Sequence, residues 1–98
     1  MPVAQAIHEA LELGRLNLPD SPGVIELIPE NYTDMDGEAS LRITAVIDEA
    51  TDLDRIDGRN VGLLKAEIHR SLQQHGIELF PYIFIAKPSE LAAEEQDV

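Results

Sequence analysis

The segment from Asn60 to Ala86 constrains the fold most strongly, because it predicts a helix, a stop and a strand in succession. Gly76 can adopt the left-handed conformation that closes a helix, and Ile77 is then placed to fold back onto Leu72 in a Schellman motif. The consecutive apolar residues Tyr82–Ile85 predict a strand covered on both faces. The apolar stripe of the helix is predicted from residues that recur at helical spacing: Val61, Leu64, Ile68 and Leu72.

The first part of the chain predicts a helix and a strand. An apolar stripe indicates a helix of about three turns, with Gly14 as its C-cap. Val24–Ile28 predicts a first strand that is closed by Pro29, a residue typical of a strand end or a sheet edge. The stripe of this helix comprises Val3, Ala4, Ile7, Ala10 and Leu11.

The middle of the chain predicts a hairpin and a second strand. Asp36 and Gly37 form a turn dipeptide that suits a hairpin. From Leu41 to Ile47 apolar and polar positions alternate, which predicts a strand with one buried face. The acidic loop that follows offers Asp57 or Asn60 to cap the next helix.

These elements define an α+β fold in the order α-β-β-α-β. The first two strands are predicted to pair as an antiparallel hairpin, and the second helix returns the last strand parallel to the second. Two helices then cover one face of a small three-stranded mixed sheet, which is a ferredoxin-like half. Residues 1–91 are predicted to form a single domain and residues 92–98 an acidic frayed tail, with a short helical end as the alternative.

The charge balance excludes some classes of partner. The chain carries 19 acidic and 7 basic residues, for a net charge of −12. A phosphate backbone would be repelled and aromatic residues are few, so we expect no nucleic-acid binding. No apolar run is long enough to span a membrane, no secretory signal is recognisable, and cysteine is absent, so a cytoplasmic protein is expected. Four explanations of the acidity stay open. It can serve solubility in a salt-rich cytoplasm, form a surface for a basic protein, bind cations, or mimic nucleic acid.

One acidic loop offers a candidate metal site. Asp52, Asp54 and Asp57 lie close together within the loop 48–57, and closely spaced carboxylates favour calcium. The spacing departs from the EF-hand pattern, because Ile56 occupies the place of the third ligand and Leu63 that of the bidentate glutamate. A cation-responsive module is therefore the alternative hypothesis.

Motifs for catalysis are lacking. There is no cysteine, no nucleophile elbow and no phosphate-binding glycine loop. His69 and His75 lie six residues apart, which places them on different faces of a helix, whereas a zinc pair usually lies four apart. We predict no catalytic residue and no cofactor, and we do not expect an enzyme.

The span from residue 24 to residue 91 combines five features in order: the acidic hairpin Asp34, Met35, Asp36, Gly37 and Glu38, a strand from Arg42 to Ile47, the helix end His75 and Gly76, the strand Tyr82, Ile83, Phe84 and Ile85, and the segment Pro88, Ser89, Glu90 and Leu91. In these features the span resembles the small C-terminal subdomain of AMP-forming acyl ligases. The resemblance implies an accessory subdomain of an adenylating enzyme. That family continues with a glycine-rich segment bearing the lysine that contacts the acyl-adenylate. Here Ala92, Ala93, Glu94 and Glu95 follow instead, so adenylation does not carry over.

The segment from Leu64 to Tyr82 is similar to the cytoplasmic α/β domain of small-conductance mechanosensitive channels. The similarity lies in Glu67, Ile68 and His69 and in the run from Gly76 to Pro81. It implies association with further copies of the same chain, whereas channel function does not follow, because no membrane helix is present.

The leading hypothesis is a non-enzymatic, acidic domain that acts through protein contacts, as a homodimer or as an adaptor. A three-stranded sheet has two open edges, and such edges pair readily with another chain. The predicted partner-binding residues lie on the two predicted edge strands: Ile83, Tyr82, Phe84 and Ile25.

Overall fold

The computed structural model describes residues 3–20 and 22–96. Strand β2 lies at the centre of a three-stranded sheet, antiparallel to β1 and parallel to β3. This arrangement confirms the α+β fold and the mixed sheet. The elements in chain order are α1 (Val3–Ala10), β1 (Val24–Thr33), β2 (Ala39–Ile47), α2 (Gly58–Gln74), β3 (Phe80–Ala86) and α3 (Pro88–Gln96), with 3-10 turns at Leu13–Arg15 and Leu53–Arg55.

The core lies between one face of the sheet and the first two helices. Alternate residues of β2 and the stripe of α2 are buried together, as predicted. The Ser71 hydroxyl donates a buried hydrogen bond of 2.7 Å to the carbonyl of Ala10, which ties α2 to the end of α1. The cluster consists of Ile7, Ala10, Leu11, Leu41, Ile43, Ala45, Leu64, Ile68, Leu72 and Ile77.

Both ends of α2 carry the predicted caps. The Asp57 carboxylate accepts from the amide of Arg59 at 2.9 Å at the start of the helix. At its end, the Ile77 amide donates to the Leu72 carbonyl at 2.9 Å. Gly76 has a φ of 75°, so the Schellman motif is confirmed.

The first helix ends earlier than predicted. The chain leaves α1 at Ala10, where the Leu11 amide donates to the carbonyls of both Ile7 and His8 and so tightens the last turn. Gly14 lies in the 3-10 turn and is not a C-cap. Positive φ values among the described residues occur at Gly37 and Gly76 alone.

Strand β1 continues through Pro29 to Thr33, so the predicted stop at this proline is wrong. The Asp34 amide donates to the carbonyl of Glu38 and marks a hydrogen-bonded pair at the hairpin end. Because such pairs alternate in an antiparallel ladder, Pro29 falls opposite Ile43 at a position without hydrogen bonds to β2. The lack of an N–H at Pro29 therefore removes no hydrogen bond between β1 and β2. This agrees with the other predicted position for the proline, on an edge strand.

The predictions of which faces are covered are wrong for both β2 and β3. In each case the position of the strand in the sheet decides the outcome. Strand β2 is buried on both faces, with Thr44 only 6% exposed, because neighbours cover it on each side. Strand β3 lies at the edge and is not covered on both faces. Phe80 and Phe84 on its outer side are 55% and 43% exposed.

The chain after β3 forms α3, which is helical through Gln96. The Lys87 amide donates to the Glu90 carboxylate at 3.2 Å, which is one half of a capping box. The amide and hydroxyl of Ser89 both donate to the Glu49 carboxylate at 2.9 Å. Residues 97–98 of the predicted tail lie outside the described residues.

The side chain of Glu67 joins α2 to the loop after α1. Its carboxylate accepts two hydrogen bonds of 2.7 Å from Arg70 and one of 2.8 Å from the Asn17 amide. These hydrogen bonds, that from Arg70 first, lower the pKa of Glu67 from 4.5 to about 2. The ionised carboxylate therefore stabilises the packing of this loop on the helix.

We expect the stability of the protein to fall between pH 4.5 and pH 2 in part through Glu67. The pKa of this group is lower in the folded state, so its contribution is present above pH 4.5 and is lost as the pH falls towards 2. Urea unfolding across this range should show a smaller decline for Glu67→Gln, which is also less stable at neutral pH. An identical decline in the variant would show that Glu67 does not contribute.

Gly76→Ala should destabilise the protein by roughly 1–2 kcal/mol, because alanine must adopt the left-handed conformation. Gly62→Ala is the matched control. Gly62 lies inside α2, does not have a positive φ, and has no atom within 4 Å of an added Cβ, so alanine there should stabilise by about 0.5–1 kcal/mol. Urea denaturation measures both changes, and equal effects would contradict the role assigned to Gly76.

Candidate functional site

Two of the three aspartates of the candidate metal loop, Asp52 and Asp57, serve as local caps. The Asp52 carboxylate accepts from the Asp54 amide at 3.0 Å and contacts Arg55 at 3.4 Å, while Asp57 caps α2. Within residues 3–20 and 22–96, no group of three His, Cys, Asp or Glu side chains is placed to hold a metal ion. The structure therefore gives the calcium hypothesis no geometric support.

The two histidines of α2 make separate contacts. The His69 ring meets the Phe80 ring edge to face, with centroids 5.8 Å apart. The His75 Nδ1 lies 2.8 Å from the carbonyl of Ser71 in the last turn of the helix. They share no site, as their spacing predicted.

The side of the sheet that faces away from α1 and α2 carries most of the aromatic residues. Cross-strand partners lie on the same face of a sheet. The register therefore places this set on the face opposite the helix-facing residues of β2. We call it the outer aromatic face, and it consists of Tyr32, Arg42, Phe80, Tyr82 and Phe84.

The rings form a continuous series from α2 to β1. Phe80 contacts Tyr82 with centroids 5.0 Å apart, and Tyr82 contacts Tyr32 with centroids 5.4 Å apart. Both contacts are edge to face, an arrangement that contributes about 0.5–1.5 kcal/mol for each pair. Together with the contact of His69 with Phe80, these contacts link α2, β3 and β1 through their rings.

Asp34 connects the hairpin to this face. One carboxylate oxygen accepts from the amides of Asp36 and Glu38 at 3.0 and 2.9 Å, which shapes the turn. The other accepts from the Tyr82 hydroxyl at 3.3 Å and the Ser40 hydroxyl at 3.5 Å. Burial raises the pKa of Tyr82, and the Asp34 charge raises it further. The phenol therefore remains a neutral hydrogen-bond donor at neutral pH.

Arg42 is the cation of the outer aromatic face. Its guanidinium lies over the Phe84 ring, 4.8 Å from the centroid. Its Nε is buried without a hydrogen-bond partner, and Arg42 takes no part in the ion pairs found among the described residues. A cation over a ring in this geometry contributes about 0.5–1 kcal/mol near the surface.

A groove runs along the free edge of β3, between that strand and α2. We call it the β3 groove. The exposed ring of Phe80 stands at one end and that of Phe84 at the other. Its lining comprises Lys65, Ala66, His69, Phe80, Pro81, Tyr82, Ile83 and Phe84.

The structure unites only part of the predicted partner-binding set. Tyr82 and Phe84 both lie on the outer aromatic face. Ile83 points to the other side, where it packs against the core, and it also lines the β3 groove. Ile25 is 53% exposed but lies at a β-bulge on β1, at the opposite edge of the sheet.

Sequence reasoning missed three members of the face: Tyr32, Arg42 and Phe80. Arg42 and Tyr82 could have been paired from the predicted parallel alignment of β2 and β3, because alternation assigns even-numbered residues of both strands to one side. Tyr32 lies beyond the predicted end of β1, so nothing in the pattern pointed to it.

The outer aromatic face and the β3 groove together form one region around β3. It combines exposed rings, one cation and a free strand edge, which is the composition of a protein contact surface. No helix among the described residues is long and apolar enough to cross a membrane. Comparisons with protein-family models, curated proteins and solved structures found no match for this chain.

Replacing Asp34 by Asn should lower the pKa of Tyr82, since the nearby negative charge is removed. Burial is the largest cause of the rise, so the pKa should stay above its ordinary value of 10.0. The chain has two tyrosines, and a Tyr32→Phe background leaves Tyr82 as the sole reporter in an absorbance titration. Circular dichroism over the same pH range checks that the fold persists. An unchanged pKa would show that Asp34 does not act on Tyr82.

Proposed function

We propose that this chain is a non-enzymatic protein-interaction or oligomerisation domain that binds its partner through β3 and the outer aromatic face. The observation that carries the proposal is the exposure of Phe80 and Phe84 on an edge strand, beside a groove and over a series of rings. Aromatic side chains and arginine are the residues that most often dominate binding energy at protein contacts.

The distribution of charge supports the same surface. The chain has a net charge of −12, yet Leu79–Ala86 contains no charged residue. An acidic surface keeps unrelated chains apart, and an uncharged edge with exposed rings is where a specific partner can approach at low desolvation cost. The proposal places the protein in the cytoplasm, which is compatible with its lack of cysteine.

Neither calcium binding nor adenylation is proposed. Asp52 and Asp57 are engaged as caps, and the comparisons add no support to either family resemblance.

Phe84→Ser should weaken partner binding by at least about tenfold, because it removes a central ring from the contact surface. Leu63→Ser is the matched control, since Leu63 is 52% exposed on α2 and does not line the β3 groove. The measurement is capture of partner chains from cell extract on each immobilised variant, at moderate and at high salt. Thermal unfolding establishes that both variants fold.

Loss of the same captured chains by both variants, or by neither, would contradict the proposal. In the first case exposed apolar side chains bind nonspecifically, and in the second case the contact lies elsewhere.

A further inference from the structure

Strand β3 and the lining of the β3 groove contain no carboxylate, and the carboxylate that contacts β3 is that of Asp34, which accepts from the Tyr82 hydroxyl on the outer aromatic face. The strand itself is uncharged, and the residues that α2 contributes to the β3 groove are Lys65, Ala66 and His69. The nearby Glu67 is turned towards Arg70 and Asn17 and does not line the groove. Two chains of net charge −12 can therefore meet here without opposing their acidic groups.

We propose that the partner at this edge is a second copy of the chain, whose β3 pairs antiparallel with β3 of the first to form a continuous six-stranded sheet. This inference rests on the proposed function and names its partner. An edge that meets its own copy about a two-fold axis forms a closed dimer, whereas pairing of β3 with β1 of another copy would continue into a fibre.

The alternation of side chains restricts the register. For both outer faces to lie on the same side of the joined sheet, outer residues must oppose outer residues. A two-fold axis at Ile83 satisfies this condition and sets Tyr82 of one copy opposite Phe84 of the other, twice. The exposed rings then cover one another across the junction. Pro81 supplies no N–H, so the hydrogen bonds of the junction come from the other residues of the strand.

The ends of β3 carry complementary charges. Glu78 precedes the strand and Lys87 follows it, and these two residues are the nearest charges on either side. Antiparallel pairing about Ile83 sets Lys87 of each copy opposite Leu79 of the other, one residue along the chain from Glu78 and beyond the ends of the strand. Within one chain the two residues lie at opposite ends of a seven-residue strand, a separation of roughly 20 Å or more. They can form an ion pair only between copies.

The other edge lacks these properties. Strand β1 carries Glu26 and Glu30, so two copies meeting there would oppose carboxylates. It also contains a β-bulge near Ile25, which interrupts regular pairing.

The first test is molar mass by light scattering and sedimentation over a concentration series at moderate and high salt. We expect a dimer that tightens with salt, because salt screens the overall repulsion. Phe84→Glu should weaken dimerisation by at least about tenfold, since it buries two like charges at the junction. Ile25→Glu, the control on the opposite edge, should leave the dissociation constant unchanged.

A charge exchange tests the register. Lys87→Glu and Glu78→Lys should each weaken the dimer about fivefold, because each loses two exposed ion pairs. The double variant Glu78→Lys with Lys87→Glu should recover the original dissociation constant. Recovery identifies contact between copies, because the two residues are too far apart to interact within one chain.

A cysteine at the axis gives an independent measurement. The chain has no cysteine, so Ile83→Cys introduces a single thiol, and mild oxidation should link two copies through a disulfide. Leu63→Cys should remain monomeric under denaturing, non-reducing electrophoresis.

A monomer at every concentration would overturn the second-copy inference, while capture of a different chain that depends on Phe84 would leave the proposed function standing. A dimer that resists Phe84→Glu but is lost with Ile25→Glu would overturn the inference and place the contact at β1. A dimer whose double charge variant shows no recovery, and which Ile83→Cys does not link, would overturn the antiparallel register.

Discussion

The structure depends on the burial of β2, whose helix-facing residues form the centre of the core. Leu41, Ile43 and Ala45 are at most 1% exposed between the two flanking strands and beneath the two helices. Two helices are sufficient to cover one face of a three-stranded sheet and no more. The opposite face and both edges are therefore left to side chains of the sheet itself, and every candidate binding feature of this protein lies there.

The outer aromatic face shows how a small sheet protects its central strand without a third layer. Tyr32 of β1 and Tyr82 of β3 meet over β2, and Ser40 and Thr44 on this face of β2 are buried. Phe80 and Phe84 on the same face are exposed to solvent. Protection of the core and presentation of a contact surface thus use the same face of the sheet, which is an economical arrangement in a chain of 98 residues.

Charge and aromatic residues are separated in this molecule. Acidic residues act locally as caps and turn anchors, as Asp34, Asp52 and Asp57 show. This local use explains why a cluster of aspartates in sequence did not become a cluster in space: a carboxylate that accepts from its own neighbouring amides points back along the chain. The uncharged edge of β3 is consequently the surface at which contact with a second acidic chain costs least.

Local signals in the sequence determined where α2 begins and ends and where the hairpin turns. The Schellman motif at Gly76, the Asp57 cap and the turn at Gly37 could each be predicted from a few neighbouring residues. Their physical cause is local, so periodicity and capping rules sufficed for the order of elements and the mixed sheet. Tertiary structure alone decided that β1 continues through Pro29, that Ile83 packs inwards, and that Tyr32 joins the face of Arg42 and Tyr82. Those outcomes depend on which strand lies at an edge and which lies at the centre, because burial is a property of neighbours brought together by the fold.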